Sequence, residues 1–287
     1  MITARRTDAV LGAEILGVDL SQTMNDSAFE KIVGLWHEHE VIFFRNQKLT
    51  PERHVEFSRR FGELECHVRT DVCRPGFPEI LVVSNIFDNG KPIGSQDAGL
   101  FWHSDLCYKK EPSRGSLFHA LEVPFKDGNP LGDTLFSSMT AAYSALPDSM
   151  RQKLDGLRVV NSYLKAYHLE RKSGERVPLT EAQRQKVPDV VHPAVRVHPH
   201  TGKKCVFVNE GYSSSLIGLE DPAAGDALLN EVLAHITRPG FTYRHQWQVG
   251  DFLMWDNCST QHCATSDYAL PQRRRMERTT LRGVATS

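Results

Sequence analysis

The chain is short of the features that would assign it to a class at sight. No apolar run approaches the roughly 18 residues that a membrane-spanning helix needs. There is no G-x-G-x-x-G, no P-loop and no G-x-S-x-G, so the dinucleotide, nucleotide-phosphate and serine-hydrolase motifs are all missing. Charge of one sign is lacking too: 34 Lys plus Arg stand against 35 Asp plus Glu, a formal charge of −1. That balance supplies no basic face for nucleic acid or an anionic membrane, and neither is expected as a partner. The six cysteines (Cys66, Cys73, Cys107, Cys205, Cys258 and Cys263) form no C-x-x-C pair, which excludes zinc-ribbon and thioredoxin motifs. Cys258 and Cys263 flank His262 at a spacing that matches no common zinc module, and reduced, buried thiols are expected. Met1 to Leu20 is broken by Arg5, Arg6, Asp8, Glu14 and Asp19 before a signal-peptide core can form, so a cytoplasmic location is expected. With no internal repeat, low-complexity tract or linker, the 287 residues are read as a single domain.

What is present is a series of short strands with helices mainly towards the two ends. Phe29, Ile32, Val33 and Trp36 are spaced for one buried face of a helix over 26–40. Val41 to Phe44 reads as an apolar strand, and Thr50-Pro51 starts a second helix that should stop at Gly62. Strands are expected over 80–84, 115–123, 133–136, 241–246, 251–255 and 275–282, a hairpin around His200-Thr201-Gly202, and a last helix over 221–238. Residues 87–100 read as a flexible loop over a site. The weakly patterned stretch 163–187 reads as a lid or binding insertion. The pattern is that of an α+β protein built around a β-sandwich or barrel.

The chemistry concentrates at Phe101-Trp102-His103-Ser104-Asp105. On a strand, His103 and Asp105 share a face, an imidazole beside a carboxylate with apolar flanks. About one or two His-x-Asp/Glu triplets are expected by chance in such a composition. Three occur, the others being His54/Glu56 and His168/Glu170. On a helix, His54 and Glu56 stand about 200° apart and cannot share an ion. His168 and Glu170 lie in the charged stretch. The third leg would come from His262, after Trp255-Asp256-Asn257. Two histidines and one carboxylate on one face of an ion leave its other face open, as in non-haem Fe(II) oxygenases.

Beyond His262, strand alternation sorts the basic run at 273–280. Arg274, Met276, Arg278 and Thr280 fall on one face. Arg273, Arg275, Glu277 and Thr279 fall on the other, which mixes charge signs as a solvated face does. Two guanidiniums with no acidic partner beside a metal site imply two anionic ligands.

In order and at fitting separations, His103-x-Asp105, Gly132-Asp133-Thr134, Trp255-Asp256-Asn257, His262 and Arg274-x-x-x-Arg278 resemble the Fe(II)/2-oxoglutarate dioxygenases of the taurine and phenoxyacetate-herbicide dioxygenase family. The resemblance covers nearly the whole chain. It implies a double-stranded β-helix (jelly-roll) core flanked by helices, with iron held by His103, Asp105 and His262. It implies that Arg274, with the Thr134 hydroxyl, clamps the distal carboxylate of 2-oxoglutarate, and that Arg278 and His67 meet an anionic small-molecule substrate. Fe(II), 2-oxoglutarate and O₂ are the implied cofactor and co-substrates, succinate and CO₂ the by-products, and a homo-oligomer the implied assembly. The chain departs from the family in two places. Phe125 to Pro130 lengthens the approach to Gly132. Ala98-Gly99-Leu100-Phe101 stands where taurine enzymes carry polar residues, which favours an anionic substrate with an apolar body. A zinc- or nickel-bound isomerase or hydrolase on the same kind of core, and a non-catalytic small-molecule sensor, remain alternatives at this point.

Overall fold

The computed structural model describes residues 1–66, 70–96, 99–169, 179–283 and 285–286. Its largest element is an eight-stranded sheet. The strand order is Thr3–Arg6, Ala13–Leu16, Val41–Phe44, Phe252–Asp256, Gly115–Glu122, Arg275–Leu281, Phe77–Ser84 and Cys73–Arg74. A three-stranded sheet, ordered Thr242–His245, Thr134–Ser138 and Thr260–Ala264, faces it. Phe136 from the small sheet meets Trp255 of the large one at a ring separation of 5.7 Å, and Phe118, Met276, Leu253 and Trp247 complete the layer between them. Every described strand pair is antiparallel except that of Ala13–Leu16 with Val41–Phe44.

The outer face of the large sheet is covered by two helices. Asp26–His39 starts at Asn25, whose side chain accepts the Ala28 N–H, and it buries Ile32 and Trp36 completely, with Phe29 and Val33 partly buried beside them. Losing a tryptophan so buried costs roughly 3–5 kcal/mol. Pro51–Arg59 is capped by Thr50 and carries proline in its first turn. It ends short of Gly62, whose N–H turns back onto the Arg59 carbonyl. A third cluster packs Pro222–Ile236 against the strand Ser213–Ile217 and the helix Met139–Ser144.

Several expectations are corrected. Residues 87–100 are not one loop: Phe87–Asp88 and Lys91–Pro92 form a hairpin on Asn89-Gly90, both at positive φ as a type I′ turn requires, and Ser95 bridges Val83. Of the insertion at 163–187, residues 170–178 lie outside the described residues, and the remainder holds the short helices Tyr163–His168 and Glu181–Arg184. Among the strands that went unforeseen are Arg158–Asn161, Ser213–Ile217 and Thr260–Ala264. Ser213-Ser214-Ser215 and Thr260-Gln261-His262 carry no apolar alternation, and their pairing is imposed by neighbouring strands. The face read as solvated is so only at Arg273; its second half, Glu277 and Thr279, is buried. Glu277 is 2 % exposed and bonded by Arg74 and Arg275, and Thr279 meets Ser58 under the Pro51–Arg59 helix at 2.7 Å.

One buried acid gives the fold a pH dependence. Glu40 follows the first helix at φ 62°, and burial pushes its carboxyl up to about 7, against the opposing Ser138 and Thr140 hydroxyls. Its Oε2 is buried with no hydrogen-bond partner. A carboxyl raised in the folded state binds its proton more tightly there than in the unfolded chain, so stability is greatest below the unfolded pKa near 4.5 and falls as pH climbs to about 7. The loss is on the order of 3 kcal/mol. Glu40→Gln should therefore match the wild type at pH 5 and exceed it at pH 8 in urea-denaturation midpoint. Parallel pH profiles for the two proteins would remove Glu40 as the source.

Candidate metal centre and anion sites

Phe101 to Asp105 is not a strand. Only His103 pairs, in an isolated antiparallel bridge to His262 with reciprocal N–H to carbonyl bonds of 3.0 and 2.9 Å. The chain then turns, and Leu106 sits at φ 56°. The turn is fixed by Asn257. Its side-chain oxygen accepts the Asp105 N–H at 3.2 Å and the Trp255 indole N–H at 3.0 Å, and its main-chain carbonyl accepts the Ser104 hydroxyl at 2.9 Å. His103 and Asp105 thus reach the same side through a turn clamped from the Trp255-Asp256-Asn257 segment rather than through alternation.

The expected residues do come together. One donor atom from each of His103, Asp105 and His262 lies within 4.8 Å of the others, and all three residues are buried. The His103 Nδ1 sits 2.9 Å from the Phe101 carbonyl, an acceptor only, so Nδ1 carries the proton and Nε2 keeps its lone pair, 3.8 Å from Asp105 Oδ1. The His262 ring is backed by Trp255 at 4.7 Å and Phe136 at 6.0 Å, and its Nδ1 is buried without a partner. Burial pushes both imidazoles down, so both are neutral near pH 7 as metal ligands must be. Burial opposes charge on Asp105 as well, but the Arg278 guanidinium, with the imidazoles and the Ser116 hydroxyl behind it, holds this carboxyl well below the usual carboxylate range. Arg278 Nη1 is 2.9 Å from Oδ1 and the Ser116 hydroxyl 2.7 Å from Oδ2. Two neutral imidazoles and an ionised carboxylate, with one buried nitrogen unpartnered, fit a divalent transition metal.

Arg274 precedes the Arg275–Leu281 strand, 3 % exposed, between the Phe118 ring (5.9 Å) and the Tyr268 ring (5.7 Å). Its bond to the Gly132 carbonyl is long, at 3.5 Å, and its Nε is buried with no partner. Among the described residues no carboxylate lies within ion-pair distance of it; the nearby Asp133 is bonded by Arg244 and Asp267 by the Gly132 N–H. Burial lowers its pKa, with Tyr268, Asp267 and Asp133 pulling the other way. Gly132 is at φ +74°, and a Cβ there would stand 3.0 Å from Arg274 Nε, so glycine leaves room for the guanidinium. Thr134 follows two residues on, buried, and its hydroxyl accepts the Trp247 indole N–H at 3.0 Å.

Several site residues had not been foreseen: Ser116, the Asn257 clamp, Trp247, and an aromatic wall. In that wall Tyr212 lies 6.3 Å from the His103 ring and 5.9 Å from Phe101, Tyr108 lies 4.9 Å from Tyr212, and Tyr163 lies 5.0 Å from Tyr108. Phe101 had been singled out before the metal motif and Tyr108 lies three residues past Asp105, whereas Tyr163 and Tyr212 carried no signal. His67 lies outside the described residues. His54 is a core residue whose neighbour-but-one Glu56 is exposed, as helical spacing required. A second cluster, His198, Asp256 and Cys258, is structural. The His198 Nε2 bonds Asp256 at 2.8 Å, and its Nδ1 accepts the backbone N–H groups of His200 and Thr201, leaving no lone pair free.

Residues 3–280 match the model of the taurine catabolism dioxygenase TauD, TfdA family. The chain is 34% identical to an alpha-ketoglutarate-dependent 2,4-dichlorophenoxyacetate dioxygenase from Cupriavidus pinatubonensis, over 97% of each chain. It is similar to the crystal structure of a putative alpha-ketoglutarate-dependent taurine dioxygenase from Burkholderia xenovorans, with a TM-score of 0.83, 32% identity and coverage of 100% and 94%. The structure of AAD-2 in complex with Mn(II) and N-oxalylglycine matches with a TM-score of 0.82 and 25% identity, covering 100% and 99%. The class is therefore the 2-oxoglutarate-dependent dioxygenases, oxidoreductases that use Fe(II), 2-oxoglutarate and O₂. Within it, the chain belongs to the TauD/TfdA family.

Titration with Mn(II), which needs no exclusion of air, tests the metal cluster directly. Asp105→Ala and His262→Ala are expected to weaken binding by more than about 100-fold, and Ser116→Ala by about 10-fold through its carboxylate hydrogen bond. The exposed His168→Ala should match wild type. Wild-type affinity in both ligand variants would sink the assignment.

Proposed function

We propose that the protein, as a single domain on a double-stranded β-helix core, holds Fe(II) through His103, Asp105 and His262 and hydroxylates a small organic acid. The observation that carries the reading is Arg274: a guanidinium buried between two aromatic rings, without a carboxylate partner among the described residues, over the Phe118 ring that in turn meets Trp255, the ring backing His262. A buried unpaired charge is expensive, so such a group fits a site whose counter-ion arrives as ligand. In this reading Arg274 and Thr134 bind the distal carboxylate of 2-oxoglutarate.

Bound together, iron and 2-oxoglutarate supply the oxidising chemistry, with release of succinate and CO₂. The chain's own residues bind, orient and exclude water. His103 presents Nε2 because the Phe101 carbonyl holds its other nitrogen. Arg278 steadies the Asp105 carboxylate through Nη1, and its buried Nε has no partner. The remaining face of that guanidinium suits the acidic group of the substrate. Phe101, Tyr108, Tyr163 and Tyr212 supply an apolar wall with phenolic edges, which suits a flat or aromatic body better than a short aminosulfonate. The 2,4-dichlorophenoxyacetate enzyme, an aryloxy-acid dioxygenase by name, supports the same substrate type. A jelly-roll isomerase or hydrolase acting on a small anion is the second reading, and it would form no succinate.

The test is substrate-dependent succinate release across a panel of aryloxyalkanoates, other aromatic acids and sulfonates, followed by two saturation curves per variant. Arg274→Ala should raise the 2-oxoglutarate requirement about 30-fold or more, since breaking a desolvated bidentate pair costs roughly 2–5 kcal/mol. Arg278→Ala should chiefly weaken the primary acid and loosen the coupling of succinate to product. Arg273→Ala should change neither, because Arg273 is exposed and paired with Glu122 at 2.8 Å. Control of the 2-oxoglutarate curve by Arg273 instead of Arg274 would overturn the site.

A further inference from the structure

Trp247 is fully buried, and it is held from several sides. Its ring packs edge-on to His245 at 4.5 Å and to Phe118 at 5.5 Å. His245 is itself fixed, its Nδ1 2.8 Å from the Tyr243 hydroxyl and its Nε2 3.0 Å from Asp251, which also pairs with Arg45. From this fixed position the indole N–H points at Thr134 Oγ1, 3.0 Å away.

An indole N–H can only donate, so the direction of this bond is certain. A hydroxyl owns one proton and two lone pairs. With the indole occupying the acceptor side, the Thr134 proton is turned elsewhere, and no acceptor for it is found among the described residues. Arg274 is adjacent: it lies over the same Phe118 ring that Trp247 packs against, and it reaches the carbonyl of Gly132, two residues before Thr134. Arg274 Nε is likewise buried and unspent.

We propose that Trp247 is a positioning residue for the co-substrate, fixing the polarity of the Thr134 hydroxyl so that its proton is donated to the same carboxylate that Arg274 binds. The inference rests on the reading above, in which Arg274 and Thr134 receive the distal carboxylate of 2-oxoglutarate. A hydroxyl free to rotate spends part of its time with a lone pair facing an anion. One already accepting from a rigid indole is pre-organised to donate, and a donor bond to a charged group is stronger than one between neutral groups. Trp247 touches neither metal nor co-substrate in this scheme and acts only through Thr134.

Calorimetric binding to the Mn(II)-loaded protein separates this role from simple packing. Two ligands are used, 2-oxoglutarate and 2-oxopentanoate, a 2-oxo acid of the same length without the distal carboxylate. Trp247→Phe should weaken 2-oxoglutarate about tenfold, leave 2-oxopentanoate unchanged, and cause no further loss when added to Thr134→Val. Replacing Trp247 with 3-benzothienylalanine, which keeps the bicyclic shape and lacks the N–H, should reproduce the Phe result in a fold that packs as wild type. Equal losses for both 2-oxo acids, or the same loss with and without the Thr134 hydroxyl, would reduce Trp247 to packing and overturn the proposal. Wild-type 2-oxoglutarate affinity in Thr134→Val would instead overturn the underlying assignment of Thr134, and the inference with it.

Discussion

A carboxylate buried between two sheets has to be compensated, and much of this site follows from how Asp105 is. It takes a guanidinium from Arg278 on one oxygen and a hydroxyl from Ser116 on the other, while its own N–H is spent on Asn257. Isolated in such surroundings it would become protonated, and a protonated carboxyl is a poor metal donor. The ion pair keeps it ionised against the pull of burial. Arg278 can do this because it stands on the large sheet opposite Phe118, facing the inter-sheet layer. Strand order, site charge and donor chemistry are therefore one problem with one solution.

The two sheets divide the labour. The small sheet brings His262 and Thr134 on neighbouring strands, with Phe136 opposite His262. The large sheet brings Ser116, Arg278 and, through Trp255 and Asn257, the clamp on the His103–Asp105 turn. The segment 257–259 crosses from one sheet to the other, which is why Asn257 can hold the turn while His262, five residues later, faces it. The buried aromatic layer around Phe118, Phe136, Trp247 and Trp255 packs the two halves against each other and lowers the local dielectric, which strengthens the interactions of the charged groups.

Much of this was readable before any coordinates, for reasons that differ by residue. His103, Asp105 and His262 stood out because their residue types are chemically specific and the arginines behind them lacked acidic neighbours. Helices at Asp26–His39 and Pro51–Arg59 carried their own caps and periodicity. Alternation put Arg274, Met276 and Arg278 on one face, and the structure agrees: Met276 and Arg278 lie on the long strand Arg275–Leu281, and Arg274, just before it, reaches the same layer over Phe118. Alternation failed at Phe101–Asp105, and the strand Thr260–Ala264 went unread, because tertiary hydrogen bonds, not side-chain pattern, decide the backbone in both. It also misjudged Glu277 and Thr279. Mixed charge looks solvated in a sequence, and only the fold reveals that a helix lies over it and that Arg74, some 200 residues away, neutralises the acid. Ser116 and Trp247 act through geometry alone and leave no mark in composition.

The reciprocal main-chain bridge between His103 and His262 has a consequence for how such a centre can change. Both amides and both carbonyls that set the distance between these residues belong to the backbone, so the place of each side chain is independent of its identity. Exchanging either imidazole for another short donor would alter which ion the proposed centre prefers and leave the anchor points where they are. Proline is the exception, because it has no N–H to give. If the cluster holds the proposed metal, its affinity is thus free to drift by side-chain replacement, on a frame that the main chain keeps still.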